Sequence, residues 1–267
     1  MMLEQLTNAR LFDLAQPYFV GMPHFPTHPP YLYSLNKKHG DLVLKSGASS
    51  AAETITLGGH VGTHIDALCH FSCGGKMFGG VEAEPVQSYA GGVRELSVDT
   101  IKPIVRRGVL LDVPGHFRLD VLPEEFAITP EQIEEILAHQ NVEVKQGDVV
   151  LFRTGWARYW RDQRQYITGG KGGQVVGPGP EEEAAKWLSA RKVFAAGSDT
   201  VAFERMPSRD MAVHVHLLVD HGIHIVECLN LEELAAERVY EFLFVAAPLK
   251  IEGGTGSPIR PIAMLVP

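Results

Sequence analysis

The chain is poor in cysteine, with only Cys69, Cys73 and Cys228 among 267 residues. So small and odd a number cannot supply a disulfide framework, and a reducing compartment is expected, with Cys69 and Cys73 each read as a small buried hydrophobe. Cys69 and Cys73 flank His70 without forming C-x-x-C, which leaves thiolate ligation open. Long hydrophobic runs are absent too: no stretch reaches the roughly 18 apolar residues of a transmembrane helix. The opening MMLEQLTNARLFDL lacks the basic start and apolar core of a secretory signal, so a cytoplasmic protein is expected. Blocks of like charge are missing. A net charge of −8, from 24 basic and 32 acidic residues interspersed along the chain, leaves no footprint for nucleic acid or an anionic membrane. No G-x-S-x-G elbow occurs, and Ser72 beside the histidines has no nucleophile context, which removes a serine hydrolase. Repeats, low-complexity tracts and a clear linker are also absent, so one domain spanning 1–267 is the simplest organisation.

What is present concentrates in HVGTHIDALCH, where His60, His64, Asp66 and His70 fall within eleven residues. Imidazole nitrogen with carboxylate oxygen is the donor set of zinc and manganese sites, and a general-base site uses the same groups. All four positions are even, so an extended strand would turn them to one face; a helix would keep His60 and His64 together. Gly62-Thr63 predicts a bend that brings the backbone close to whatever these side chains bind.

Apolar runs at 108–113 (GVLLDV), 148–153 (DVVLFR), 193–196 (VFAA) and 242–247 (FLFVAA) read as buried strands, and a sheet covered on both faces would give that pattern. Thr129-Pro130-Glu131-Gln132 is a capping box opening a helix through about His139. A second helix is predicted from Pro180 to Arg191, acidic at its start and basic at its end. A third runs from about Ser208 to His221 and stops at Gly222, with a strand following through Ile223 and Ile225. Alternating strands and helices give an α/β class with a central mixed sheet flanked by helices. Residues 1–45, rich in proline and aromatics, read as an extended arm.

The third helix carries His214, His216 and His221, and the strand after it contains His224 and ends at Glu227. On helical spacing His214, Leu217, Leu218 and His221 share a face and His216 points away. One of these histidines with Glu227 would add to a metal shell; each alone fits an ordinary core or surface residue. Asp199, after the VFAA strand, sits where α/β folds build sites, although capping a turn explains it slightly better.

The pattern H-x-G-T-H-x-D, followed four residues later by His, resembles the signature of the metal-dependent cyclase family, which includes bacterial kynurenine formamidases and isatin hydrolases. The likeness extends over FDLAQPYFVGMPHFP, QGDVVLFRTGW, GSDTVAFE, HVHLLVDHGIHIVECLNL and APLKIEGGTGSPIRPIAM. It implies a swivelling β/β/α-like fold. It also implies His60, His64 and Asp66 as ligands of a divalent metal, Mn2+ or Zn2+, and His70 as the catalytic acid/base. In two-zinc members a His and a Glu are added, which align with His214 and Glu227. The chain departs from the pattern in Leu68, where proline is common, and in Phe25, where tryptophan is common. The spacing from His214 to Glu227 is one residue longer than in the short formamidases, which makes His216 an alternative ligand.

The resemblance leads to a metal-dependent hydrolase of a C–N amide bond. A small cyclic amide such as isatin is the first substrate, N-formylkynurenine the next, and a lactone is chemically close to both. The arm residues His24, Phe25, Tyr31 and Tyr33 would wall a flat ring, or simply pack as core. A homodimer or higher homo-oligomer is implied as well. The competing class is a non-catalytic metal- or ligand-binding module, in which His70 closes the shell as a fourth ligand.

Overall fold

A computed structural model describes residues 7–265. Its centre is a nine-stranded sheet. In chain order the strands are β1 (Arg10–Asp13), β2 (His64–Asp66), β3 (Ile104–Asp112), β4 (Val149–Arg153), β5 (Ala195–Ser198), β6 (His224–Glu227), β7 (Glu241–Ala246), β8 (Gly256–Pro258) and β9 (Ile262–Leu265). Their spatial order is β1-β9-β7-β3-β4-β5-β6-β2-β8. The run β3-β4-β5-β6 is parallel and the outer pairings are antiparallel, so the expected α/β class with a mixed sheet is the observed one.

All five residues of β4 are buried, because a parallel strand with neighbours on both edges and cover on both faces has no polar side to show. Alternation assigns the faces. Val150, Phe152, Leu111 and Ile225 join the core beneath helices α1 (Pro130–Gln140) and α2 (Glu182–Ala190). Leu151, Leu110, Ile65 and Val226 point the other way, into a core with Phe12, Leu14 and Leu234. A third cluster, around Met22, Tyr31, Trp156, Trp160 and Tyr166, anchors the N-terminal region.

The capping box is present at α1: Gln132 N donates to Thr129 Oγ1 at 3.4 Å and Thr129 N to Gln132 Oε1 at 3.0 Å. Helix α2 begins two residues later than its sequence suggests, because Gly179–Pro180 is committed to a short parallel pairing with Ala127–Ile128. The third helix is much shorter than predicted. Met211 lies in the left-handed region (φ 54), through which a helix cannot continue, so it starts at Ala212 and passes after His214 into π-helical turns over Val215–Asp220.

The N-terminal segment divides. Arg10–Asp13 is the edge strand of the main sheet, whereas Leu32–Lys37 forms a hairpin with Ala52–Thr56 that shows nearly every residue to solvent. No helix among the described residues is long and apolar enough to cross a membrane. All three cysteines are free: Cys69 is buried as expected, Cys73 is exposed and so is not the buried hydrophobe expected of it, and Cys228 is buried.

Candidate metal centre

The centre is built by strand register. In the antiparallel pair β2/β6, His64 lies directly opposite Glu227 and Ile65 opposite Val226. Directly opposed residues project to the same side, and Asp66, two along from His64, joins them. Ile65 and Val226 fill the core on the far face, so His64, Asp66 and Glu227 are turned to the helix-covered side. All three are buried.

The regular strand covers only His64–Asp66, not the whole His60–His70 run. His60 stands in the turn before it and His70 in the turn after it, where His70 N donates to Ala67 O. The expectation of four residues on one strand face is therefore corrected: two lie on the strand, and two fold over it. All four still meet. His60 Nδ1 is 2.7 Å from Asp66 Oδ1 and its Nε2 is 2.9 Å from Thr255 Oγ1. The His70 ring stacks on His60 with centroids 3.8 Å apart. Gly62 does bend the chain (φ 72), but the group at its Cα is Tyr18, whose ring carbon would lie 2.4 Å from an added Cβ. The close approach that Gly62 permits here is to the ring of the part-buried Tyr18.

From above, His214 inserts into the centre. Its Nε2 is 3.2 Å from Glu227 Oε1, its Nδ1 is 2.6 Å from Glu204 Oε2, and its backbone N donates to the same Glu204 oxygen at 3.0 Å. Phe203 N donates to Glu227 Oε1 at 2.7 Å. Phe71 packs between the two histidines, 5.0 Å from the His70 ring and 4.9 Å from that of His214. His224 faces the strand instead, with Nδ1 2.9 Å from Asp66 O.

The remaining predicted residues separate from this group. His216 contacts Ser189 Oγ on α2 at 2.8 Å, outside the centre. His221 is exposed and leaves the face it was expected to share with His214: the chain passes from α- to π-helical turns over Val215–Asp220 and ends at His221, whose ring sits beside that of His216. Asp199 is a buried turn anchor: it accepts from Thr154 N and Thr154 Oγ1 at 2.8 and 2.6 Å and from Gly155 N at 2.9 Å. Tyr33 is on the exposed hairpin, 46% accessible. His24 is half-buried with Nδ1 against Phe25 O, while the Phe25 ring touches His28 at 5.5 Å. Tyr31 is buried against Tyr18.

Sequence reading missed Glu204, Thr255 and His28, whose ring lies 5.3 Å from that of His60. Glu204 closes the GSDTVAFE segment that drew attention only for its aspartate. Thr255 and His28 have no local signal, because each meets the cluster only through the tertiary fold.

Burial and opposite charge set the protonation. Burial works against the charged form of His214, but Glu204 and Glu227 override it and lift its pKa to about 10. Burial would likewise raise Glu227 and Asp66, but the surrounding imidazoles hold both below the ordinary carboxylate range. His70 is pushed down to about 3, chiefly by burial, and so remains a neutral imidazole.

The residues fit a divalent cation. Donor atoms of His64, Asp66 and Glu227 lie within 4.8 Å of one another, and so do those of His60, Asp66 and His70, the two triads sharing Asp66. His64 Nε2 is 3.3 Å from Glu227 Oε2 and 3.5 Å from Asp66 Oδ1 without hydrogen-bond geometry to either, and Asp66 Oδ2 also lacks a partner. Buried, unpartnered donors that converge are unfavourable unless a further group satisfies them. His60 has both nitrogens in hydrogen bonds, so coordination there would exchange one of them for a bond to the ion.

A mixed α/β sheet carrying a buried imidazole–carboxylate centre beneath its helix layer defines the class of protein. The chain belongs to the Cyclase family, whose model matches residues 12–205. It is 28% identical to an isatin hydrolase of Roseibium aggregatum, over 79% of this chain and 73% of that one. It is 24% identical to a kynurenine formamidase of Bacillus thuringiensis subsp. konkukian, over 96% and 98% of the two chains. A solved structure described as a novel cyclase superposes with a TM-score of 0.86 at 30% identity, covering 98% of this chain and 88% of that one.

Proposed function

We propose that this chain is a metal-dependent hydrolase that opens a C–N amide bond in a small aromatic molecule, a cyclic amide such as isatin first and N-formylkynurenine or a lactone next. The observation that carries this reading is the pair of unpartnered buried donors, His64 Nε2 and Asp66 Oδ2, inside two triads of ligand-type side chains. In this reading His60, His64 and Asp66 hold a divalent ion, Mn2+ or Zn2+, with Glu227 beside them. Such an ion supplies Lewis acidity and lowers the pKa of bound water toward neutrality.

The protein's own groups do the rest. Glu227 is fixed between His214 and the Phe203 N–H, and Glu204 fixes His214 from behind. His70, kept neutral by burial, has a lone pair with which to take a proton and later return it to the leaving nitrogen. Stacking against His60 and Phe71 orients its ring. Phe25 and His28 stand outside His60 as the wall that a flat substrate would meet, with His24 adjoining.

The test is metal analysis of protein purified without added ions, followed by turnover of a panel of cyclic amides, arylformamides and lactones. His70→Ala is expected to keep its metal and lose activity. Loss of metal in that variant would favour the second reading, a closed non-catalytic metal site in which His70 is a ligand.

Three free cysteines suit the reducing cytoplasm. A homodimer fits the hairpin, where Leu32, Tyr33, Leu35 and Ile55 are about half exposed on a two-stranded element that is marginal alone in water.

A further inference from the structure

The 212–220 segment brings two histidines together outside the centre. In an α-helix, residues five apart are about 140° apart around the axis, and the wider π-helical turns, with i→i+5 hydrogen bonds, bring them closer to one face. The π-helical stretch Val215–Asp220 accordingly sets His216 and the following His221 with ring centroids 4.3 Å apart, tilted by 46°. Ser189 Oγ lies 3.1 Å from Lys186 O and 2.8 Å from His216 Nε2. In the tautomer in which the hydroxyl donates to Lys186 O and accepts from His216 Nε2–H, the Nδ1 lone pair is free. A metal-binding histidine has this arrangement, its second nitrogen donating to a neighbour that fixes the ring. His221 is exposed, and its ring makes no hydrogen bond among the described residues.

The charges facing His216 are mixed. Asp220 and Glu182 favour a cation there, and His221 and Lys186 oppose one. The Lys186 ammonium is already paired, 2.9 Å from Glu182 and 2.8 Å from Glu183.

We propose that His216 and His221 form a second, surface cation site for divalent ions that favour imidazole, Cu2+, Ni2+ or Zn2+, with water at the remaining positions. This site is independent of the centre, which uses neither residue. Because both ligands lie on one π-helical turn and its cap, an ion bridging them holds that register in place.

The experiment counts zinc bound to chelator-stripped full-length protein dialysed against a graded series of Zn2+ concentrations. The wild type should bind one more ion per chain at the upper end than either His221→Ala or His216→Ala, with the tightly held ions unchanged in both. His221 is exposed, so its replacement is expected to leave the fold and metal-free melting temperature unaltered. Titrated with Cu2+, the wild type should show hyperfine structure from two imidazole nitrogens that His221→Ala reduces. The proposal is overturned if the wild type binds nothing beyond its tight ions, or if both variants bind as many ions as the wild type. An empty centre would sink the hydrolase reading without touching this count.

Discussion

Replacing Gly256 with alanine isolates what holds His60 in place. Gly256 lies in β8 opposite Asp66, and a Cβ built on it would be 2.5 Å from His60 Cε1. Its φ is outside the left-handed region, so alanine can adopt the backbone conformation and the penalty is one of contact alone. Carbon atoms prefer about 3.5–4.0 Å, so the imidazole must retreat by about 1 Å or more. That movement lengthens the contacts to Asp66 at 2.7 Å and Thr255 at 2.9 Å past the limit of a hydrogen bond. Overpacking of this kind costs about 1–3 kcal/mol, and each lost hydrogen bond adds about 1 kcal/mol. Removing the groups that orient a ligand typically weakens metal affinity by about 10–100-fold, and a similar loss is expected here. The assay is competition for Zn2+ or Mn2+ against a chromophoric chelator, together with urea unfolding of the metal-free protein. Gly177→Ala is the control, since its Cβ would meet nothing nearer than Thr200 Cγ2 at 3.8 Å. A Gly256→Ala protein that binds metal and unfolds like the wild type would refute the placement of His60.

Glu204→Ala strips two hydrogen bonds from His214 and leaves a buried imidazole beside Glu227 alone, so unfolding by urea should show a loss of about 3–5 kcal/mol. Asp66→Asn removes the carboxylate shared by both triads; chelator treatment should lower the melting temperature of the wild type and leave that of the variant unmoved. Asp199 has its pKa raised to about 6, mainly by burial. A carboxyl raised in the folded state contributes stability that is full below its unfolded pKa of about 3.9 and is lost as pH rises through the folded value. The stability of the wild type relative to Asp199→Asn should therefore fall by about 2–3 kcal/mol between pH about 4 and pH about 7, and a flat difference would contradict the assignment. Leu35→Glu on the exposed hairpin should halve the mass seen by light scattering, while a wild type that is already monomeric removes the dimer.

The chemistry of the centre was legible because donor-rich residues recur within a few positions, and local sequence carries local spacing. His60, His64, Asp66 and His70 needed no structure to stand out, and the four short apolar runs and the α1 capping box follow from short-range physics. The strength of each signal depended on its range. The third helix was misjudged because nothing in its composition announces Met211 in the left-handed region or the π-helical turns after it.

Sequence by itself therefore determined the donor types, the α/β alternation and the family pattern of the first cluster. Tertiary structure alone decided their partners. Glu227 meets His64 because antiparallel register sets them opposite each other, although 163 positions separate them in the chain. Glu204 rather than His216 accompanies His214, and Thr255 steadies His60, because loops after β5 and before β8 end at that face. Register and helical pitch are set by packing across the whole sheet, and no window of neighbouring residues contains that information.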